Sequence, residues 1–321
     1  MYGSRSGIRS PDRWRRSILW LVAALALLTA IGRAAYGTNT AVFAQSATRA
    51  DDGMKRDLLA LMLAYPDAIS GAERGGDGRV YVVMASGERI VYDDGREKSF
   101  EQQLAGADIQ DSLSIPYPPD MIRTVPEGNS DPGRVRCYAL LGALYGSTRA
   151  AVEANLCSVR TGGGHYPFNR KNGAAAALEA AMGDLAGIIA VQPEVGGYVY
   201  PISGTYNYRV IAGTNRLSPH AFGIAIDLRS KPGDYWRYAS REQAQRRIES
   251  YPEALVSAME SHGFIWGGKW AHFDFLHFEY RPELIIKSRA DAKKSGGEWY
   301  AGFPEDARTL ALVRSIDAAL R

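Results

Sequence analysis

The segment Phe222 to Leu228 alternates strictly, with Phe222, Ile224, Ile226 and Leu228 on one face and Gly223, Ala225 and Asp227 on the other. A strand with this pattern buries its bulky face and leaves, beside Asp227, a side lined by residues too small to fill the space. His220 precedes that strand, and Gly223 allows a close backbone approach. Farther along, Asp274-Phe275-Leu276-His277 supplies a second imidazole and a second carboxylate. A catalytic zinc needs three protein ligands and an open fourth position, and His/His/carboxylate is a recurrent set. The carboxylate left over is then the natural base.

The second strand, predicted over Phe275 to Tyr280, places His277 and Glu279 on one face and Phe278 and Tyr280 on the other, with Asp274 ahead of it. Each polar residue has an ordinary alternative. A single His or Asp in a strand is commonly a hydrogen-bonded structural group. Three of the five histidines, His220, His272 and His277, nevertheless fall beside carboxylates in segments that otherwise read as core. Spacing alone leaves both readings open, because H-x6-D and D-x-x-H are loose patterns.

Length and composition bound the rest. At 321 residues, 46% hydrophobic and 23% charged, the chain is globular and long enough for one large domain or two modest ones. A net charge of +3 is too mild to imply nucleic acid, so no nucleic-acid partner is expected. Arg5, Arg9, Arg13, Arg15 and Arg16 precede the apolar run Ile18 to Ile31, which is shorter than the ~20 residues a bilayer crossing needs. Residues 1–44 therefore read as an export signal, cut before Gln45 or near Ala34-Ala35, or kept as an anchor that would be the chain's only membrane contact. Either way the expected location is the periplasm or cell envelope.

In that compartment the two cysteines, Cys137 and Cys157, invite a disulfide. A helix from Arg136 to Leu144 ending at Gly146, followed by one capped by Ser147 and running to Leu156, would bring them to the same end of a helical hairpin. The alternative is two small buried thiols. If formed, the bridge would add about 3 kcal/mol in the chain-entropy account.

The pattern predicts a helix over Asp51 to Tyr65, a hairpin of Arg79–Met84 with Glu88–Tyr92, and a boundary in the proline-rich stretch at 120–133. Beyond it come a helix over Asn172 to Ile189 capped by Asn172, an extended Tyr198 to Ile211, and a helix from Pro252 to His262. Helices mixed with short strands, without regular βαβ spacing, indicate an α+β fold. The expected organisation is an N-terminal accessory region at 45–126, a metal-carrying domain at 127–300 and a helical tail at 301–321.

The motifs Ser218-Pro219-His220-Ala221-Phe222-Gly223-Ile224-Ala225-Ile226-Asp227, Gly263 to Trp270, and Asp274-Phe275-Leu276-His277-Phe278-Glu279 together resemble the D-alanyl-D-alanine metallopeptidase family. That family includes L-alanyl-D-glutamate endopeptidases, and its wider group takes in lysostaphin-type enzymes and the hedgehog signalling domain. The resemblance spans roughly Arg134 to Leu284. It implies a small central antiparallel sheet with flanking helices carrying a zinc site, a Zn2+ cofactor and a peptidoglycan stem peptide as substrate. Residue by residue it implies that His220, Asp227 and His277 bind zinc, that Asp274 is the general base, and that an upstream arginine, Arg209 or else Arg216, steadies developing negative charge. Each arginine's alternative is a solvated surface ion pair.

Around these, Ser218 lies beside the first ligand, Glu279 is expected to orient His277, and His272 is a rival ligand or a donor to the tetrahedral intermediate. Trp266 and Trp270 wall the cleft or simply fill the core. Where this chain has Asp274, the best-known D-Ala-D-Ala members carry Glu. The shorter side chain leans toward the endopeptidase branch. A zinc-binding module without catalysis, as in the hedgehog branch, is the rival function, and retention of Asp274 argues against it.

Overall fold

The computed structural model describes residues 1–3 and 51–321. The chain divides into Met1–Gly53 and Met54–Arg321, and everything below concerns the second unit. The expected export segment lies outside the described residues.

The fold is α+β, as expected, with three small antiparallel sheets. Within the second unit, residues 54–64 are helical and end before Pro66. A three-stranded sheet follows: β1 (Ile69–Arg74), β2 (Val80–Met84) and β3 (Arg89–Val91). The predicted hairpin is β2–β3, and β1 adds a strand that the Gly-rich sequence around it concealed. The C-terminal helix, Ala307–Ala319, packs on β1. Arg56 reaches from the first helix to Asp291 Oδ1 (2.6 and 2.8 Å) and to the carbonyls of Trp299 and Ala301, and the Tyr65 hydroxyl donates to Glu283 Oε2 at 2.6 Å. Through these buried contacts the N- and C-terminal parts of the unit share one core.

The second sheet corrects an expectation. The helix Tyr138–Tyr145 and the short helix Arg149–Glu153, capped by Thr148 rather than Ser147, do form, but Leu156 opens a strand. Strands β4 (Leu156–Thr161) and β5 (Gly164–Asn169) are joined across Gly162-Gly163, a tight glycine turn that outweighs any helical tendency at Leu156. Both cysteines are free. Cys137 is buried at the start of its helix, while Cys157 faces Phe168 in the β4–β5 ladder, its Sγ 3.6 Å from the Phe168 carbonyl. The second helix stops at Glu153, so Cys157 lies in a strand and not at the end of a helical hairpin with Cys137.

The helix Ala174–Val191 buries Leu178, Ala181, Met182 and Leu185, an i, i+3, i+4, i+7 stripe, against β4 and the helix Glu253–Ser261. Its cap is Gly173 rather than Asn172. Asn172 adopts φ 53° and uses its side chain instead to donate to the Leu144 carbonyl, tying this helix start to the end of the helix Tyr138–Tyr145. The stretch expected to be extended from Tyr198 begins with the short helix Gly196–Val199 and then runs irregularly, pinned by isolated bridges.

The third sheet positions the site. Strand β8 (His277–Tyr280) lies between β6 (Ala225–Asp227) and β7 (Phe264–Trp266), antiparallel to both. Both predicted strands are shorter than their patterns: Pro219–Phe222 forms a 3-10 turn ending at Gly223, and the chain before His277 is a turn. Gly223 has φ 67°, and a Cβ there would lie 2.8 Å from Leu156, so glycine is required.

Candidate metal centre and cleft

The register Asp227↔His277 sets the first two groups side by side across the β6–β8 ladder. His277 Nδ1 is 2.9 Å from Asp227 Oδ1. His220 comes from the 3-10 turn, where the Ser218 hydroxyl caps the turn by accepting from the His220 N–H and the Nδ1 of the His220 ring meets the Thr205 carbonyl at 2.5 Å. That contact leaves Nε2 pointing inward, 3.2 Å from Asp227 Oδ1 and 3.3 Å from His277 Nδ1.

These three atoms fit a metal. Tetrahedral ligation with bonds of ~2.0–2.1 Å separates donor atoms by roughly 3.3 Å, close to the spacings of 2.9, 3.2 and 3.3 Å seen here. The three residues form one compact group of ligand atoms. Their electrostatics also call for a cation. Burial disfavours a charge on His277, but Asp227 and Glu279 outweigh it and push the imidazole up to about 10. Burial likewise acts against the Asp227 carboxylate, yet the two imidazoles hold it far below the usual carboxylate range.

Behind His277 stands Glu279, fully buried, with Oε2 3.7 Å from Nε2 of the ring. Arg136 grips this carboxylate in fork fashion (2.5 to 3.1 Å) and Arg281 adds a contact at 3.5 Å. Burial would raise its pKa, but the guanidinium of Arg136 holds it well below the ordinary glutamate value. Glu279 is therefore a fixed anion facing the inner side of the His277 ring.

Asp274 differs. Its backbone is held by Gly267 and paired with Tyr235, and Gly267 is needed because a Cβ there would lie 2.5 Å from the Asp274 carbonyl oxygen. The Oδ1 atom is shielded from solvent and, among the described residues, has no hydrogen-bond partner. Burial pushes the carboxyl up to about 7.

His220, Asp227, Asp274 and His277 line one cleft of about 320 Å³, together with Arg134, Arg136, Arg209, Arg216, Tyr235, Trp236, Trp270 and His272. Arg209 is exposed on its lip, and among the described residues no side-chain partner engages it. Arg216 is half-buried and donates to the Leu104 carbonyl at 3.3 Å. His272 is not in the metal group: its Nδ1 is held 2.6 Å from the fully buried Asp131, which also accepts from the His272 N–H. Trp270 is buried, its ring centroid 5.6 Å from that of His277 and its indole donating to the Pro132 carbonyl, so it is both wall and core. Trp266 is pure core, stacked near Phe278 with its indole donating to the Phe275 carbonyl.

Sequence reasoning missed Asp131, Arg134, Arg136, Tyr235 and Trp236. Asp131 sat in the proline-rich stretch read as a boundary, Arg134 just beyond it and Arg136 at the start of a predicted helix, and nothing in the sequence tied them to the motifs farther along.

No curated protein and no solved structure matches the chain. Residues 212–280, which carry His220, Asp227, Asp274 and His277, match a peptidase family described as D-alanyl-D-alanine carboxypeptidase, so the chain is similar at family level to M15 peptidases and the resemblance in its motifs is borne out.

Proposed function

We propose that this chain is an exported zinc metallopeptidase that hydrolyses an amide bond in peptidoglycan stem peptides, of the carboxypeptidase or the endopeptidase type. The observation that carries the reading is the contrast within one cleft between a three-donor group, His220, Asp227 and His277, and a nearby carboxylate, Asp274, with an unpartnered oxygen. Zinc held by the three donors would supply Lewis acidity toward the scissile carbonyl and a more acidic water.

The protein's own groups do the rest. Asp274 takes a proton from the attacking water and later delivers it to the leaving amine, a role suited to a carboxyl whose affinity for protons is raised toward neutrality. Arg209 swings from the lip to face the oxygen that gains negative charge or the substrate carboxylate, with Arg216 deeper in the same wall. Thr205 and Glu279 keep the two imidazoles aimed.

The test is metal analysis of the purified full chain with mass spectrometry of products from defined muropeptides. About one equivalent of zinc and water-added products are expected. Zinc without cleavage would favour a binding module of the hedgehog type, and absence of zinc would defeat both readings.

A further inference from the structure

A fan of aromatic rings stands at the rim of the cleft, and the hydrolytic groups do not need it. Tyr235 and Trp236 line the cleft, and Tyr238 beside them is 83% exposed. The Tyr235 ring lies 6.1 Å from Trp236 at 62° and 5.7 Å from Tyr238 at 57°, and the Arg237 guanidinium sits 5.3 Å from the Trp236 ring. Among the described residues, no hydrogen bond engages the Trp236 indole N–H or the Tyr235 and Tyr238 hydroxyls. Tyr238 is thus exposed, while Tyr235 and Trp236 are half-buried in the cleft wall and keep their polar tips free.

The backbone beneath them is rigidly mounted. Asp234 is buried, pairs with Arg247 at 2.7 Å and accepts from the Lys231 N–H at 2.8 Å. Tyr235 bridges to Asp274, the Trp236 N–H donates to Phe273 at 3.0 Å, and the Phe275 N–H donates to Asp234 at 2.9 Å. The fan is therefore in register with the backbone that carries the carboxylate of the cleft. The Trp236 ring also meets His272 edge-on at 4.7 Å.

Aromatic side chains normally bury most of their surface, and an exposed Tyr238 continuing two half-buried rings that line a cleft marks a binding surface. Its geometry selects the ligand chemistry. A stem peptide of alanine with acidic or diamino residues offers no flat ring to lie on these faces. A pyranose offers a C–H face for the rings together with hydroxyl and amide groups for the polar tips. A membrane surface would also suit exposed aromatics and arginine, but Tyr235 and Trp236 face the cleft.

We propose that Tyr235, Trp236 and Tyr238 form a saccharide platform that holds the glycan of a glycan-linked stem peptide while its peptide lies in the cleft. This rests on the reading of the cleft as a cell-wall peptidase site.

The test uses the full chain and its Tyr238→Ala and Tyr238→Phe variants, titrated with peptide-free N-acetylglucosamine oligomers and assayed on one stem peptide with and without its disaccharide. Tyr238→Ala should weaken oligomer binding about tenfold, and lower the preference for the glycan-linked substrate by a similar factor, whereas Tyr238→Phe stays within about threefold. Unchanged oligomer binding in Tyr238→Ala, or an equal loss on both substrates, would overturn the platform. So would loss of binding to phosphatidylglycerol vesicles with oligomer binding intact. If oligomer binding falls as expected but wild type cleaves neither substrate, the platform stands and the peptidase reading fails.

Discussion

Two carboxylates flank the same histidine and live in opposite worlds. Glu279, behind His277, is clamped by Arg136 and Arg281 and held ionised. Asp274, in front of it, keeps one oxygen with no partner and a pKa pushed up to about 7 by burial. The back of the strand is built for fixed geometry, and the front suits the proton exchange proposed for Asp274. Full satisfaction of polar groups makes a rigid support, and an unsatisfied buried acceptor is a site for chemistry.

The largest expected break of this contrast is at the front. Asp274→Asn should keep zinc and lose about 10²–10⁴ in kcat, whereas His277→Ala should lose both metal and activity. Equal metal loss in the two, measured by elemental analysis, would make Asp274 a ligand. Next, Arg209→Ala should lower kcat/KM by about 10² while thermal unfolding stays within about 0.5 kcal/mol of wild type, because the side chain is exposed. A comparable loss of stability would return Arg209 to a structural role.

At the back, Glu279→Gln should weaken metal binding about 10–100-fold and destabilise the fold by several kcal/mol, since Arg136 is left buried beside a neutral partner. Its pH signature follows from the sign of the shift. A carboxyl whose folded pKa is lowered adds stability present above the unfolded value of ~4.3 and lost as pH falls toward the lower folded value. Urea unfolding at a series of pH values below about 5 should therefore show a flatter acid limb in the variant. The smallest expected effect is Gly223→Ala, about 1–3 kcal/mol from the positive φ and the crowding at Leu156.

Much of the site was legible before the fold. The three donors and Asp274 are named by residue type, by the alternation that puts Asp227 on a face of small residues, and by motifs matching one family. What escaped was whatever depends on distant segments meeting. Arg136 and Asp131 gain meaning only because the chain before the helix Tyr138–Tyr145 passes behind β8 and under His272. The disulfide expectation failed for a local reason, a glycine turn that makes Leu156 a strand, and the cap at Asn172 failed because its side chain found the Leu144 carbonyl instead.

Side-chain chemistry and short-range periodicity are written in the sequence, so the α+β character could be read directly, while the donor set rested on the resemblance of its motifs to a known family. Orientation could not. That Nε2 of His220 but Nδ1 of His277 faces Asp227 is decided by the Thr205 carbonyl on one side and Glu279 on the other, and that Asp274 keeps a free oxygen is decided by what packs around it. Those choices arise from tertiary neighbours because solvent exclusion and hydrogen-bond pairing exist only once the chain has closed.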